Sequence, residues 1–412
     1  LDPSYALAWV GLADVHALRS LYDDIALPES FEPRRRAIDK ALSLNPNSGE
    51  VLTALADLRE DQNDFEAAEG YFLQAIAQSP NYATARHWYS IMLRELGRFD
   101  EALVQMSKAR DIDPGAAILA VAESGLLTEL GQMDEADAVL LDGIRRNPDF
   151  SGLYNTRGNL MYVQGRLAES LRWVDEAVRL APTSPDSRSM QCLLLAELAK
   201  LEDAVTCAEA LGRDFPTQYP PGTSSADLSA SIQGGRLEDF LLPLEVIESL
   251  PDGPRVGYGS AYFLANELEK AHTLISGVRP ELFESPTPEI RPQEITLALV
   301  VAALLENAGE IEKAEDMYNA VQRSAASVPG RITVAEFSGV MGALAQDDDA
   351  SAAAALRKAI DIGNVQNWWV FRAPVFESAL EGAEFAAAFD ALEAEIARQR
   401  ADYEARPDLP PI

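Results

Sequence analysis

Six prolines, Pro46, Pro80, Pro114, Pro148, Pro182 and Pro216, stand at a constant spacing of 34 residues. A fixed period of that length means one supersecondary unit repeated along the chain. Each unit is too small to bury its own apolar face and stacks on its neighbour to do so. The prolines also say how each unit ends. Proline lacks an N–H and pushes the preceding residue out of the helical region, so a helix must stop just before each one.

The positions between the prolines give the rest of the unit. Five residues before them stand Ala41, Ala75, Ala109, Gly143, Ala177 and Leu211, and twelve before stand Arg34, Ala68, Ala102, Ala136, Ser170 and Ala204. Residues seven apart share one helix face. A mostly small face lets a second helix approach closely. The matching small slot on that second helix, helix A, holds Ala13, Ala56, Ser90, Ser124, Gly158 and Cys192, while Phe72, Met106, Leu140 and Val174 on helix B plug the groove to the next hairpin. Asn63, Gly97, Gly131 and Gly165 mark the A–B turn, where a left-handed residue is needed. The spacing predicts hairpins over 49–82, 83–116, 117–150, 151–184 and 185–218, with an irregular first unit over about 6–48 that carries an insertion around "LYDDIALPES". The regular array is therefore residues 1–216, about six units.

After Pro216 the stretch "PTQYPPGTSS" is rich in turn residues and the period blurs, with Pro251 one residue off the beat. Residues 217–412 are expected to continue as degenerate hairpins, with helical patterns around 224–249 and 257–278 joined at Pro251, a return to form over 293–327 and a further hairpin over 332–362, closed by a terminal helix pair that caps the stack. A proline-rich loop with Pro280, Pro286, Pro288 and Pro292 interrupts them. No strand is needed. The fold class is all-α.

Composition narrows the partners. The formal net charge is −32, spread over both halves. Such a surface repels phosphate backbones and favours basic peptides or basic protein faces, so no nucleic acid is expected here. No run is long and apolar enough for a membrane span. Two cysteines are too few for a disulfide framework. Cys192 falls in the small slot of helix A and Cys207 on its partner helix, and both are expected to be buried free thiols. His16, His87 and His272 lie in separate hairpins and share no metal-ligand spacing with the cysteines. No nucleophile elbow, zinc helix or phosphate loop is present, so neither catalysis nor a cofactor is expected. The acid pairs Asp23–Asp24 and Asp347–Asp349 read as loop charges or helix N-caps. The opening Leu1-Asp2-Pro3 reads as the close of a helix B, which carries the expectation that further residues precede it.

The stretch "SPNYATARHWYSIMLRELGRFDEALVQMSKARDIDP" resembles tetratricopeptide repeats, and in particular the repeat tails of bacterial signalling proteins that carry a class III adenylate cyclase domain or a CadC-type winged helix. "LDPSYALAWVGLADVHA", the insertion and the terminal "AFDALEAEIARQR" are similar to that group as well. The resemblance covers most of the chain. It implies a right-handed superhelix of helix pairs acting as a regulatory or interaction region, in the bacterial cytoplasm or periplasm. The alternative it carries is a nucleotide cyclase or DNA-binding regulator whose active domain lies upstream of Leu1. The chain itself contains neither module.

In such arrays helix A lines the concave side. The inward slots here supply Asp57 and Glu60, then Thr84, His87 and Arg94, then Val121, then Asn155, Asn159 and Tyr162, as candidate contacts for a protein or peptide partner. Asn155 and Asn159 are four apart on one helical face, and their amides offer both donors and acceptors to an extended backbone. The acids at the start of the groove favour a cationic segment. They oppose the acidic chaperone tails that a lysine-lined carboxylate clamp would hold.

Overall fold

The computed structural model describes residues 4–22, 27–216, 224–250, 252–285, 288–291, 294–326, 339–344, 348–406 and 408–409. Asp23, Asp24, the boundary stretch 217–223, Pro251, Pro286, Pro292, the start of the 332–362 hairpin and Asp347 lie outside these residues. The described residues are helical throughout, with no strand among them, and no described helix is long and apolar enough to cross a membrane.

Helix follows helix in A–B pairs. They are α1 (Ala6–Tyr22) with α2 (Leu27–Leu44), α3 (Gly49–Asp61) with α4 (Phe65–Gln78), and α5 (Ala83–Glu95) with α6 (Phe99–Ile112). Then come α7 (Ala117–Glu129) with α8 (Met133–Arg146), α9 (Ser151–Val163) with α10 (Leu167–Leu180), and α11 (Pro185–Glu197) with α12 (Leu201–Asp214). Every periodic proline from Pro46 to Pro216 lies just past the end of a B helix, as its chemistry demands. Helix starts are equally local. Ser48 and Ser184 accept hydrogen bonds from the third backbone N–H of α3 and α11, and Pro185 occupies the first turn of α11.

The turns hold their left-handed residue where the period places it: Asn63 at φ 61°, Gly97 at 74°, Gly131 at 76° and Gly165 at 70°. The fifth such turn uses Ala199 at φ 54°, where a Cβ crowds the following carbonyl by about 1–2 kcal/mol. Ala199→Gly should therefore raise stability by roughly 0.5–1 kcal/mol once the added freedom of the unfolded chain is set against the relief. A denaturant midpoint that stays put or falls would contradict this.

Packing divides the chain into two compact units: residues Leu1–Thr128 with Asp134–Pro148, and Glu129–Met133 with Asp149–Ile412. In the first, Ala68, Ala75, Ala102 and Ala109 are fully buried, and the Phe72 and Met106 plugs sit against Tyr89, Met92 and Leu126 in one apolar cluster. The approach at the small slots is close enough for a side chain to bond the opposite helix's backbone. Ser90 Oγ donates to the Ala102 carbonyl at 2.7 Å. In the second unit Ser170 Oγ donates to the Gly158 carbonyl at 2.7 Å, and a Cβ on Gly158 would meet Val174 at 2.5 Å.

Two expectations change here. Arg34 occupies a slot that is small elsewhere, yet is 1% exposed. Its guanidinium bridges Asp57 and Asp61 of α3, so an ion-pair network replaces the close contact. Cys192 and Cys207 are not free thiols. They form a disulfide between α11 and α12 with Cα atoms 5.3 Å apart. The same close approach explains it: Cys192 fills the small slot of α11, and the helix drawn up against that slot carries Cys207 within bridging range.

Beyond α12 the second unit continues through the longer helices Ser225–Gln233, Asp252–Leu264, Leu268–Val278, Ile295–Asn307, Ile311–Ala326 and Asp349–Asp361. The expected 224–249 helix is broken into three pieces, and the first member of the terminal pair is not an α-helix. Residues 368–381 instead form three short 3₁₀ turns, Trp368–Arg372, Pro374–Phe376 and Ala379–Glu381. Asn367 at φ 56° and Pro374 interrupt any longer helix. Trp368, Trp369, Phe371 and Phe376 are all buried in the largest core cluster, which one helical stripe could not achieve. The terminal helix, Ala383–Ala405, buries Phe385, Phe389, Leu392 and Ile396. Its start is capped by Asp349, whose carboxylate accepts from the Glu384 and Phe385 N–H groups at 3.0 Å. Asp348 caps its own helix by accepting from Ser351 N–H at 3.0 Å, so both acids are helix caps.

Candidate functional site

In the first unit the A helices α1, α3 and α5 place a cleft of about 190 Å³ between Val10, Asp14 and Ala17 of α1, Glu50, Thr53, Ala54 and Asp57 of α3, and Tyr82, Thr84 and Trp88 at the start of α5. Three carboxylates and two aromatic faces thus share one cavity. Thr53 is turned away from it chemically, since its hydroxyl donates to the Gly49 carbonyl at 2.8 Å.

The charge in the cleft is held under strain. Burial pushes the Asp57 carboxyl up to about 6 against the opposing pull of Arg34. Burial, then repulsion from Asp57, Glu95 and Asp61, pushes Glu60 up to about 8, and one buried oxygen of Glu60 has no hydrogen-bond donor. Asp14 is raised by burial, again opposed by Arg34. One buried arginine therefore serves several acids, and the cleft carries uncompensated negative potential. Burial lowers the His87 imidazole, so His87 is neutral at pH 7, with its ring 5.7 Å from that of Trp88. Tyr82 is raised by burial and keeps its proton. A cavity with acidic and aromatic walls suits a cation with an apolar stem, the shape of a lysine or arginine side chain.

The nine residues singled out from the sequence divide between the units. Asp57, Glu60, Thr84, His87, Arg94 and Val121 belong to the first, and Asn155, Asn159 and Tyr162 to the second. Asp57 and Thr84 line the cleft, with Glu60 and His87 beside it. Arg94, in Glu60's slot on α5, is exposed, and Val121 is half-buried on α7. Asn155 is half-buried and Asn159 exposed on α9. Tyr162 is engaged by the chain's own carboxy-terminal part. Its hydroxyl donates to Glu197 at 3.4 Å and its carbonyl accepts from Gln366.

Sequence reasoning missed Val10, Asp14 and Ala17, although the signal was present. They occupy the same inward slots in the irregular first unit that Thr53, Asp57 and Glu60 occupy in the next. Tyr82 and Trp88 lie outside those slots and follow only from the coordinates.

Residues 53–117 and 93–160 each match a family model described as tetratricopeptide repeat. These hairpins are tetratricopeptide repeats. The fold is accordingly an all-α tetratricopeptide solenoid, a class of repeat whose units generally bind proteins or peptides. Protein FlbA of Caulobacter vibrioides is 28% identical over 160 residues, which cover 39% of this chain and 27% of FlbA. Protein O-mannosyl-transferase TMTC3 of Mus musculus is 28% identical over 173 residues, covering 38% of this chain and 18% of that protein. The chain thus matches about a quarter or less of the length of these curated relatives. Among solved structures, a tetratricopeptide repeat protein from Parabacteroides merdae is 17% identical with a TM-score of 0.46, covering 56% of this chain and 92% of that one.

Proposed function

We propose that this chain is a non-enzymatic protein-interaction scaffold whose first unit receives a basic peptide segment on the A-helix face, within a larger bacterial signalling protein. The cleft between Asp14, Glu50, Asp57, Tyr82 and Trp88 carries the reading. It offers negative charge beside aromatic surface and no constellation of nucleophile, base and oxyanion donor. Asn155 and Asn159 are proposed as a second, polar contact on the other unit. The regulatory role rests on the sequence resemblance, as does the alternative of a cyclase or DNA-binding domain upstream of Leu1. Reading the gene on the 5′ side of the Leu1 codon tests that alternative.

Immobilised lysine- and arginine-containing peptides should bind, and matched glutamate peptides should not. The double variant Asp14→Asn, Glu60→Gln should weaken binding about tenfold, near 1.4 kcal/mol, while leaving helical content intact. Binding should also strengthen as pH rises from 6 to 8. A cation favours the ionised acids, and Asp57 and Glu60, raised to about 6 and about 8, must lose their protons to meet it. Equal binding of acidic and basic peptides, or an affinity that falls across this pH range, would refute the proposal.

A further inference from the structure

The Cys192–Cys207 bond stands where one helix has lost its anchor. At the plug slot the B helices before it carry Ile38, Phe72, Met106, Leu140 and Val174, all buried. The same slot of α12 holds Ala208, next to Cys207. The rest of α12's buried face is Ala204, Leu211 and Gly212. The consequence is visible in the core. α10 gives Leu167, Leu171 and Val174 to the largest core cluster, α11 gives Leu194 and Leu198, and the helix Ser225–Gln233 gives Ile232. Among the described residues α12 gives none. Its apolar contacts lie instead in a side cluster with Cys192, Ala196 and Ala226. A buried alanine methyl takes little apolar surface out of water. The ion pair from Arg188 of α11 to the exposed Asp214, at 2.6 Å, adds little more. The disulfide fixes α12 to α11 covalently, across a sequence separation of 15 residues.

We propose that this bond is a redox-operated clamp: a dithiol reductant that opens it releases α12 from the second unit while the rest of that unit stays folded. The two sulfurs differ in access. Cys192 is 1% exposed, whereas Cys207 is half-buried. One thiolate of the reductant attacks the Cys207 sulfur, and the Cys192 sulfur leaves with the bonding pair and takes up a proton. The reductant's second sulfur then displaces Cys207 from the first and closes the reductant's own disulfide. The protein gains two electrons and two protons, and the reductant loses them. α11 does not follow α12, because Leu194 and Leu198 keep it in the main core. Glu197 at its end stays bonded to Asn367 and Trp369. With the clamp closed, α12 opens only when its unit does.

The test compares the 412-residue chain oxidised with glutathione disulfide and then reduced with dithiothreitol, both without denaturant. The oxidised chain should show no free thiol, and the reduced chain should titrate both cysteines. Reduction should speed amide exchange over 201–214 by on the order of a hundredfold, the size set by a loop of this length. Exchange over 167–180 and 364–376 should not change. The double variant Cys192→Ala, Cys207→Ala should exchange like the reduced chain in either reagent. Alanine fills the slot of Cys192 at Ala13 and Ala56, so this variant keeps the hairpin packing and separates the bond from the reagent. Thiols that do not oxidise would overturn the proposal, as would a bond that dithiothreitol opens only after the unit has unfolded. Equal exchange of α12 in the two states, or in the oxidised chain and the double variant, would show that packing alone holds the helix. Acceleration spread evenly over 167–180 and 364–376 would show that the bond holds the whole unit and not α12.

Discussion

Replacing Glu197 by alanine should destabilise the second unit by roughly 3 kcal/mol or more. Glu197 ends α11 fully buried and accepts only from uncharged donors. These are Asn367 N–H at 3.0 and 3.1 Å, Trp369 Nε1–H at 3.3 Å and the Tyr162 hydroxyl at 3.4 Å. Its own carbonyl accepts from Trp368 Nε1–H at 2.8 Å. Removing the carboxylate leaves the Asn367, Tyr162 and Trp369 donors unpaired, the last of them on a buried ring, and a cavity beside two buried tryptophans. The loss should appear in chemical denaturation and in exchange of residues 364–376. A change below about 1 kcal/mol would show that water replaces the carboxylate, and would refute the account.

The same group gives the wild type a pH dependence. Burial pushes the Glu197 carboxyl up to about 7, against hydrogen bonds from Asn367, Trp369 and Tyr162 that favour the ion. Between its ordinary value of 4.5 and about 7 the folded state retains a proton that the unfolded chain has lost. Stability therefore falls as pH rises through that window, by at most about 1.4 kcal/mol per unit, and levels off above it. In Glu197→Gln this component should vanish.

Gly165→Ala should be the second severe change, and Gly97→Ala is its control. Both glycines sit in A–B turns with positive φ, 70° and 74°, so each alanine pays about 1–2 kcal/mol in backbone strain. Around Gly97 a Cβ finds nothing within 4 Å, whereas at Gly165 it would overlap the carbonyl oxygen of Gly363. The obstacle is backbone and cannot rotate away. Gly165→Ala should cost about 4 kcal/mol or more and Gly97→Ala only the strain. Equal melting curves for the two variants would mean that Gly165 and Gly363 do not meet in solution.

These positions show what could be read from the chain and what could not. The hairpins, their turns and their small slots follow from near-neighbour chemistry, and the 34-residue period repeats that chemistry until it is unmistakable. Gly97 and Gly165 look identical in such a reading, because what separates them is Gly363, almost two hundred residues away. Glu197 has no signature either. It stands in a run of helix formers, and its role comes from a segment that folds back on it. The disulfide and the buried Arg34 were obscured for a different reason. Arg34 and Cys192 each fill a slot whose other occupants are nearly all small and inert, so the pattern argued for sameness where the chemistry differed. On the cleft, the period supplied Asp57 and Thr84, and the same slots applied to the irregular first unit would have supplied Asp14.

The terminal helix touches the second unit's early hairpins at several places. Gln399 Nε2 donates to the Gly165 carbonyl at 2.8 Å, Arg172 Nη2 donates to Asp402 at 2.7 Å, and the Tyr403 hydroxyl donates to Asp175 at 2.6 Å. Each contact spans 228 residues or more of chain. A simple repeat stack can fold from any hairpin outward and fray from its free end. Here the last helix is fastened to the first hairpins of its own unit, so that end is not free. Closing so long a loop slows folding. In return the second unit should open as one body, where the hairpins of the first can come undone in succession.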